Sequence, residues 1–98
     1  MITHIVLFKL KDGVDRRAPS VLEAEKLARE VGRHVPELLS WRVGWNCVAR
    51  DISYDFAAVG VLPDLAGLEN YQKNAFHQQS VERWREISDW VVVDLAEH

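Results

Sequence analysis

The sequence has little cysteine and no concentration of positive charge. Its one cysteine, Cys47, cannot form a disulfide within the chain, which favours a reducing compartment. The 12 Lys and Arg residues are outnumbered by 15 Asp and Glu residues, and no run of basic residues occurs. We therefore expect neither a nucleic acid nor a membrane surface as a partner.

Long apolar runs and metal-ligand motifs are also missing. No stretch approaches the roughly 20 apolar residues that cross a bilayer, and the first residues lack the basic segment of a signal peptide. The 4 histidines are scattered, without the spacing of a zinc site, so we expect no metal and no cofactor. Together these absences predict a cytoplasmic protein.

The composition is that of an ordinary globular chain, with 48% hydrophobic and 28% charged residues. A chain of 98 residues predicts a single domain over residues 1–98, with little core to spare.

Hydrophobic periodicity predicts the order strand, helix, strand, strand, helix, strand. The predicted elements are a strand over 2–10, a helix from Pro19 or Ser20 to about His34, strands over 39–48 and 54–62, a helix capped by Asp64, and a strand over 90–95. The first helix begins either with a capping box formed by Ser20 and Glu23 or with Pro19 at its first position. This order is the α+β, ferredoxin-like split βαβ fold, in which two helices cover one face of a four-stranded antiparallel sheet.

The strands are apolar on both faces, although two helices cover only one face of such a sheet. Residues 2–10 carry apolar side chains on either side, the run 90–95 is typical of a buried strand, and Cys47 is expected to be buried beside Trp41 and Trp45. We therefore predict a homodimer through the open face of the sheet, which closes an α/β barrel.

Groups able to do chemistry are concentrated in residues 68–77, which contain Tyr71 and His77. In an unbroken helix, six residues turn through roughly 600°, which leaves the two side chains about 120° apart. Asn74 competes with the backbone for hydrogen bonds and is the expected site of a break between them. With that break, the two side chains can face one cavity.

Several motifs in this order resemble those of a known family. They are His4 followed by Val6 and Phe8, Pro36 followed by Gly44 and Asn46, the run from Ser53 to Phe56, the group Leu68, Tyr71 and His77, and Asp94. Over nearly its whole length the chain resembles the stress-responsive dimeric A/B barrel domain family. Most members of that family have no assigned reaction. In a plant polyketide cyclase of this fold, a catalytic Tyr and His correspond to Tyr71 and His77. The family commonly has His and Pro where this chain has Asn74 and Ala75.

The resemblance and the residues suggest a proton-transfer enzyme acting on a β-keto compound. His77 would remove a proton beside a carbonyl, Tyr71 would hydrogen-bond the enolate oxygen, and His4 would join them. The pocket for a small apolar or aromatic ligand would be lined by Val6, Phe8, Ala24 and Ala28.

Other hypotheses stay open, because the sequence assigns no biochemical activity. Tyr71 and His77 would satisfy each other in the core of a structural dimer, or the cavity would bind a small ligand without turnover. A cofactor-free monooxygenase is a further alternative, to which Trp45 and Asn46 point weakly.

Overall fold

The computed structural model describes residues 1–97, so position 98 of the predicted domain lies outside the described residues. Within this range the chain forms four strands and three helices. They are β1 (Ile2–Leu10), α1 (Pro19–His34), β2 (Ser40–Trp45), β3 (Phe56–Leu62), α2 (Leu65–Lys73), α3 (Ala75–Ile87) and β4 (Ser88–Ala96). The strands form an antiparallel sheet in the order β2-β3-β1-β4. This confirms the predicted ferredoxin-like fold, with the second predicted helix divided into α2 and α3.

The helices begin where their first residues suit helical geometry. Pro19 opens α1, and Ala18 before it caps the helix without a side-chain hydrogen bond. The alternative capping box of Ser20 and Glu23 is therefore wrong, because Ser20 already lies inside the first turn. For α2, the side chain of Asp64 accepts a hydrogen bond from the Gly67 amide at 2.8 Å, which confirms the predicted cap.

The hairpin between β2 and β3 is longer than predicted, and its strands are shorter. The ladder ends at the pair Trp45 and Phe56. Beyond it, the side chains of Asn46 and Ser53 both donate hydrogen bonds to the Val48 carbonyl, which folds the connection back on itself. Cys47 lies in this connection and is exposed, so the prediction that it is buried is wrong.

β4 is an edge strand that pairs only with β1, and it begins two residues earlier than predicted. Val91, Val93 and Leu95 are 47%, 53% and 45% exposed in the single chain. The expectation of a buried strand is therefore wrong for one protomer, because these three side chains lie on the sheet face that no helix among residues 1–97 covers.

The two faces of the sheet differ in what covers them. One face packs against α1 and α3, and its core includes Val6, Phe8 and Phe56 together with Trp84. The opposite face carries a set of apolar side chains without a helix over them. That set, called the open face, consists of Ile5, Leu7, Ala57, Val59, Val61, Val91, Val93 and Leu95. No helix in residues 1–97 has both the length and the apolar character needed to span a membrane.

Candidate functional site

A cavity of about 150 Å³ lies between the helices and the covered face of the sheet. Val6, Phe8 and Ala28, three of the predicted pocket residues, line it. The fourth, Ala24, does not line it, because this residue lies one turn earlier on α1 and is fully buried in the packed core.

The interruption between α2 and α3 brings Tyr71 and His77 into this cavity. Asn74 ends α2 and begins α3 with extended backbone angles, φ −59° and ψ 130°. Its side-chain oxygen accepts a hydrogen bond from the His77 amide at 3.0 Å, which caps the new helix. The change of helical phase leaves the Tyr71 and His77 rings with centroids 4.0 Å apart, and the predicted break is confirmed.

Tyr71 is 2% exposed and stays protonated at neutral pH. Burial raises the pKa of its phenol well above the usual value, and the negative charge of Asp94 raises this pKa further. The phenol therefore keeps its proton and can donate a hydrogen bond in the cavity wall.

His77 is held in its neutral form. Burial lowers the pKa of its ring to about 4, with a smaller lowering from His4 and an opposing effect of the Gln72 carbonyl. Among residues 1–97, no group offers the buried Nδ1 atom a partner with hydrogen-bond geometry. The neutral His77 ring therefore lies beside Tyr71, with its Nδ1 atom enclosed by the protein.

His4 reaches the same cavity and is paired with a carboxylate. It lies directly opposite Asp94 in the ladder between β1 and β4, and its Nδ1 lies 2.5 Å from Asp94 Oδ1. His4 is 5% exposed, and its ring meets the Tyr71 ring edge-on at 5.1 Å. Because a carboxylate only accepts hydrogen bonds, we assign the Nδ1 proton to His4. Asp94 therefore fixes the orientation and tautomer of His4.

Trp41 forms a rigid wall of the cavity that the site prediction missed. Its indole Nε1 donates a hydrogen bond to the Ala28 carbonyl at 2.8 Å. The Trp41 ring lies between Gly32 and Gly60. A Cβ added at Gly32 would come within 2.9 Å of the Trp41 side chain, and a Cβ added at Gly60 within 3.0 Å of it. Two glycines therefore leave just enough room for this ring. The sequence indicates the inward orientation of Trp41 only through its position on the same strand face as Val43 and Trp45.

Two further residues of the cavity lining, and one residue that supports the lining, are not predicted as site residues by the sequence. The supporting residue is Asp94, which the sequence marks only by its resemblance to the family, because its role as the partner of His4 depends on the register of two strands far apart in sequence. Ser80 and Trp84, one turn apart on α3, also line the cavity. Within residues 1–97, no three His, Cys, Asp or Glu side chains are grouped so as to hold a metal ion.

Comparisons with known proteins agree with this architecture. The sequence model of a protein family, the stress responsive A/B barrel domain, matches residues 2–97 of this chain. An uncharacterized protein of Streptomyces coelicolor is 42% identical over 94 residues, which cover 96% of this chain and 97% of the relative.

Solved structures share the fold over nearly the whole chain. A dimeric ferredoxin-like protein of unknown function from Thermobifida fusca has a TM-score of 0.84 and 28% identity, covering 98% of this chain and 90% of that chain. A hydroxynitrile lyase from Passiflora edulis has a TM-score of 0.79 at 14% identity, covering 96% of this chain and 90% of that chain. At that identity the likeness to the lyase shows the fold alone.

Proposed function

Since this chain belongs to the stress responsive A/B barrel domain family, we propose that it is a homodimer whose cavity binds a small β-dicarbonyl compound and moves a proton beside a carbonyl. One observation carries the catalytic part of this proposal. The Tyr71 and His77 rings lie 4.0 Å apart in the wall of one cavity, beside the hydrogen-bonded pair of His4 and Asp94.

The open face supports the homodimer. Its apolar side chains form a contiguous surface on the sheet, and isolated soluble chains rarely leave such a surface in water. The structural neighbour from Thermobifida fusca is described as dimeric. A second copy of the chain, packed sheet against sheet, would cover the open face of both protomers.

The three polar side chains have distinct roles in the proposed reaction. His77 is neutral at pH 7 and accepts the proton as the C–H bond beside the carbonyl breaks. The electron pair of that bond moves towards the carbonyl oxygen, which becomes an enolate oxygen and accepts a hydrogen bond from the protonated Tyr71. The proton then returns from His77 to the product. His4, held by Asp94 and edge-on to the Tyr71 ring, supplies a second polar contact.

The size of the cavity restricts the ligand. An apolar protein cavity of about 150 Å³ holds a molecule of the size of benzene, and this cavity has a similar volume. Its walls are mostly apolar and aromatic, which favours a compact, flat ligand with one or two oxygens.

Deuterium exchange tests the proton transfer. Acetylacetone is dissolved in D₂O with the protein, and NMR follows the loss of its central C–H signal. We expect the wild-type protein to exceed the buffer rate, and His77→Ala to lose about a hundredfold of that enhancement while still binding acetylacetone. In Tyr71→Phe the rate enhancement over buffer should fall about tenfold or more, because the enolate oxygen loses its hydrogen-bond donor.

Leu22→Ala is the matched control, since Leu22 lies on α1, is 54% exposed and does not line the cavity. This variant should exchange acetylacetone at the wild-type rate. A wild-type rate equal to that of buffer, with binding retained, would exclude proton transfer.

Binding without turnover is the second candidate function, and one observation favours it. A pKa of about 4 makes the His77 ring a weak base at neutral pH, whereas a general base works best with a pKa near the working pH. The same exchange experiment separates the two functions, because a binding module shifts the NMR signals of acetylacetone without exchanging its proton.

A further inference from the structure

The cavity is closed on one side and open to solvent on the other. The residues that line it from α1 and β1, among them Ala28, Val31 and Val6, are buried. In contrast, the lining residue Val92 on β4 is 46% exposed, and Gln72 near the end of α2 is also exposed. The opening of the cavity therefore lies between β4 and the two helices α2 and α3.

The helices leave the edge strand partly bare on the side of the sheet that they cover. Val92 lies opposite Val6 in the ladder between β1 and β4, and its side chain points to the same side of the sheet. Trp90 lies opposite Phe8 in the same way. Val6 and Phe8 are buried, whereas Val92 is exposed and Trp90 is half-buried. The helices therefore cover β1 but not the strand beside it.

Helix α3 forms the other side of the opening. His77, Val81 and Arg85 follow one another at intervals of one turn, so they lie on the same side of α3. The Arg85 guanidinium lies over the Trp90 ring at 5.5 Å, which shows that this side of the helix faces β4. Val81, Trp90 and Val92 thus form an apolar groove, called the edge groove. It is continuous with the cavity because all three residues also line the cavity.

The cavity is too small for a β-dicarbonyl compound with a longer substituent. Its volume is about 150 Å³, which suits a molecule of the size of benzene, and acetylacetone is only slightly larger than benzene. A longer substituent has to leave the cavity on its open side, because packed side chains close the opposite side. The edge groove lies on that path.

We propose that the edge groove binds an unbranched apolar substituent of a β-dicarbonyl ligand. The inference rests on the proposed function for the dicarbonyl group itself, which lies beside Tyr71 and His77. The homodimer leaves the edge groove free, because Val91 and Val93 belong to the open face and Val92 points to the opposite side of the sheet. The protein therefore prefers β-dicarbonyl compounds with a linear chain over compact, branched ones.

The test compares three ligands by NMR titration of the wild-type protein. They are acetylacetone, an analogue in which a butyl group replaces one terminal methyl group, and the tert-butyl isomer of that analogue. A fully buried methylene group raises affinity about fourfold, and half of that free energy, for a methylene in an open groove, gives about twofold. The three added methylene groups of the butyl analogue should therefore give a dissociation constant about eightfold lower than that of acetylacetone. The tert-butyl isomer has the same composition, but its bulk stays beside the carbonyl inside the cavity, so we expect it to bind no more tightly than acetylacetone.

Val92→Asn removes one apolar wall of the edge groove. In this variant we expect the preference for the butyl analogue over acetylacetone to fall about fourfold. The matched control is Val48→Asn, because Val48 is 48% exposed, lies between β2 and β3 and does not line the cavity. The control should keep the wild-type preference. Because the readout is a ratio of dissociation constants, a general change in stability affects both ligands and cancels.

A second measurement uses only the wild-type protein, so it does not depend on the folding of a variant. The terminal methyl group of the bound butyl analogue should show nuclear Overhauser effects to the methyl groups of Val92 and none to those of Val31 at the closed side. Contacts with Val31 in place of Val92 would overturn the proposal, as would an unchanged preference in Val92→Asn. Equal affinities for the three ligands, as expected if a partner protomer covers the edge groove, or no binding of any of them, would also overturn it.

These outcomes are distinguishable from the outcome for the proposed reaction. If the wild-type protein binds the butyl analogue with the expected preference but exchanges no proton of acetylacetone, the edge groove is supported and the proton transfer is excluded. If acetylacetone exchanges its proton and the butyl analogue binds no more tightly, the reaction is supported and the edge groove is excluded.

Discussion

The neutral, buried state of His77 should make the protein less stable in acid. In the unfolded chain the ring has an ordinary pKa near 6.5, and in the folded chain burial lowers the pKa to about 4. Between these values the unfolded chain binds more protons than the folded chain. Stability is therefore complete above pH 6.5 and is lost as the pH falls towards 4.

The size of this loss follows from the two pKa values. A difference of one pH unit corresponds to about 1.4 kcal/mol, so the fall from 6.5 to about 4 sets an upper limit of about 3 kcal/mol. The ring is not fully enclosed and keeps some contact with solvent. Since water partly solvates the charged ring, we expect a loss of about 2 kcal/mol for each protomer.

Urea unfolding of wild-type protein and of His77→Gln at pH 7 and at pH 4 measures this loss. Glutamine does not titrate, and the other titratable groups are common to both proteins, so the difference between them reports His77 together with its coupling to His4. The protomer concentration is kept constant because association also stabilises the folded state. We expect the wild-type free energy of unfolding to fall by about 2 kcal/mol more than that of the variant.

Two results would contradict this reasoning. The first is an equal fall for the wild-type protein and His77→Gln. The second is an NMR titration in which the His77 ring of the folded protein protonates near pH 6.5. Either result would mean that the ring is more hydrated than its burial implies.

Two further predictions concern the scaffold. Ile5→Asp places a charge in the open face between Val59 and Val93, so size-exclusion chromatography of this variant should show a monomer. The control Leu22→Asp, at an exposed position on α1, should stay dimeric. A dimeric Ile5→Asp variant would exclude the open face as the interface. Gly60→Ala brings a Cβ within 2.9 Å of Leu38 and 3.0 Å of Trp41. In urea unfolding, this variant should therefore have a free energy of unfolding about 1 to 3 kcal/mol lower than that of the wild-type protein. An unchanged unfolding midpoint would show that the Trp41 side chain moves to make room for the added Cβ.

The sequence predicts the fold well because its periodic pattern is strong and local. The predicted bounds of the strand 2–10 and of the first helix agree with the structure nearly to the residue. The order of the predicted elements is that of the ferredoxin-like split βαβ fold. The errors concern the ends of elements and the burial of Cys47 and β4. In the hairpin, the apolar alternation continues through Cys47, but side-chain hydrogen bonds to the Val48 carbonyl end the strand at Trp45.

The site is predicted only where local chemistry determines it. The approach of Tyr71 and His77 follows from the tendency of Asn74 to interrupt a helix, which is a property of one residue. The pair of His4 and Asp94 depends on the register of β1 against β4, which no local pattern specifies. The sequence also does not predict that Ala28 lines the cavity while Ala24 does not. Both residues lie on the same apolar face of α1, and only the packing around each one decides whether it borders the cavity.

Asn74 links the geometry of the site to a distant part of the fold. Its side-chain amide donates a hydrogen bond to the His34 carbonyl at the end of α1, at 2.9 Å, while its oxygen caps α3. The His34 ring also stacks on Phe76 at 3.9 Å. The end of α1 therefore holds the start of α3, and with it the position of His77. Because Tyr71 lies before the interruption and His77 after it, any change that loosens Asn74 would separate the two rings without altering a residue that lines the cavity.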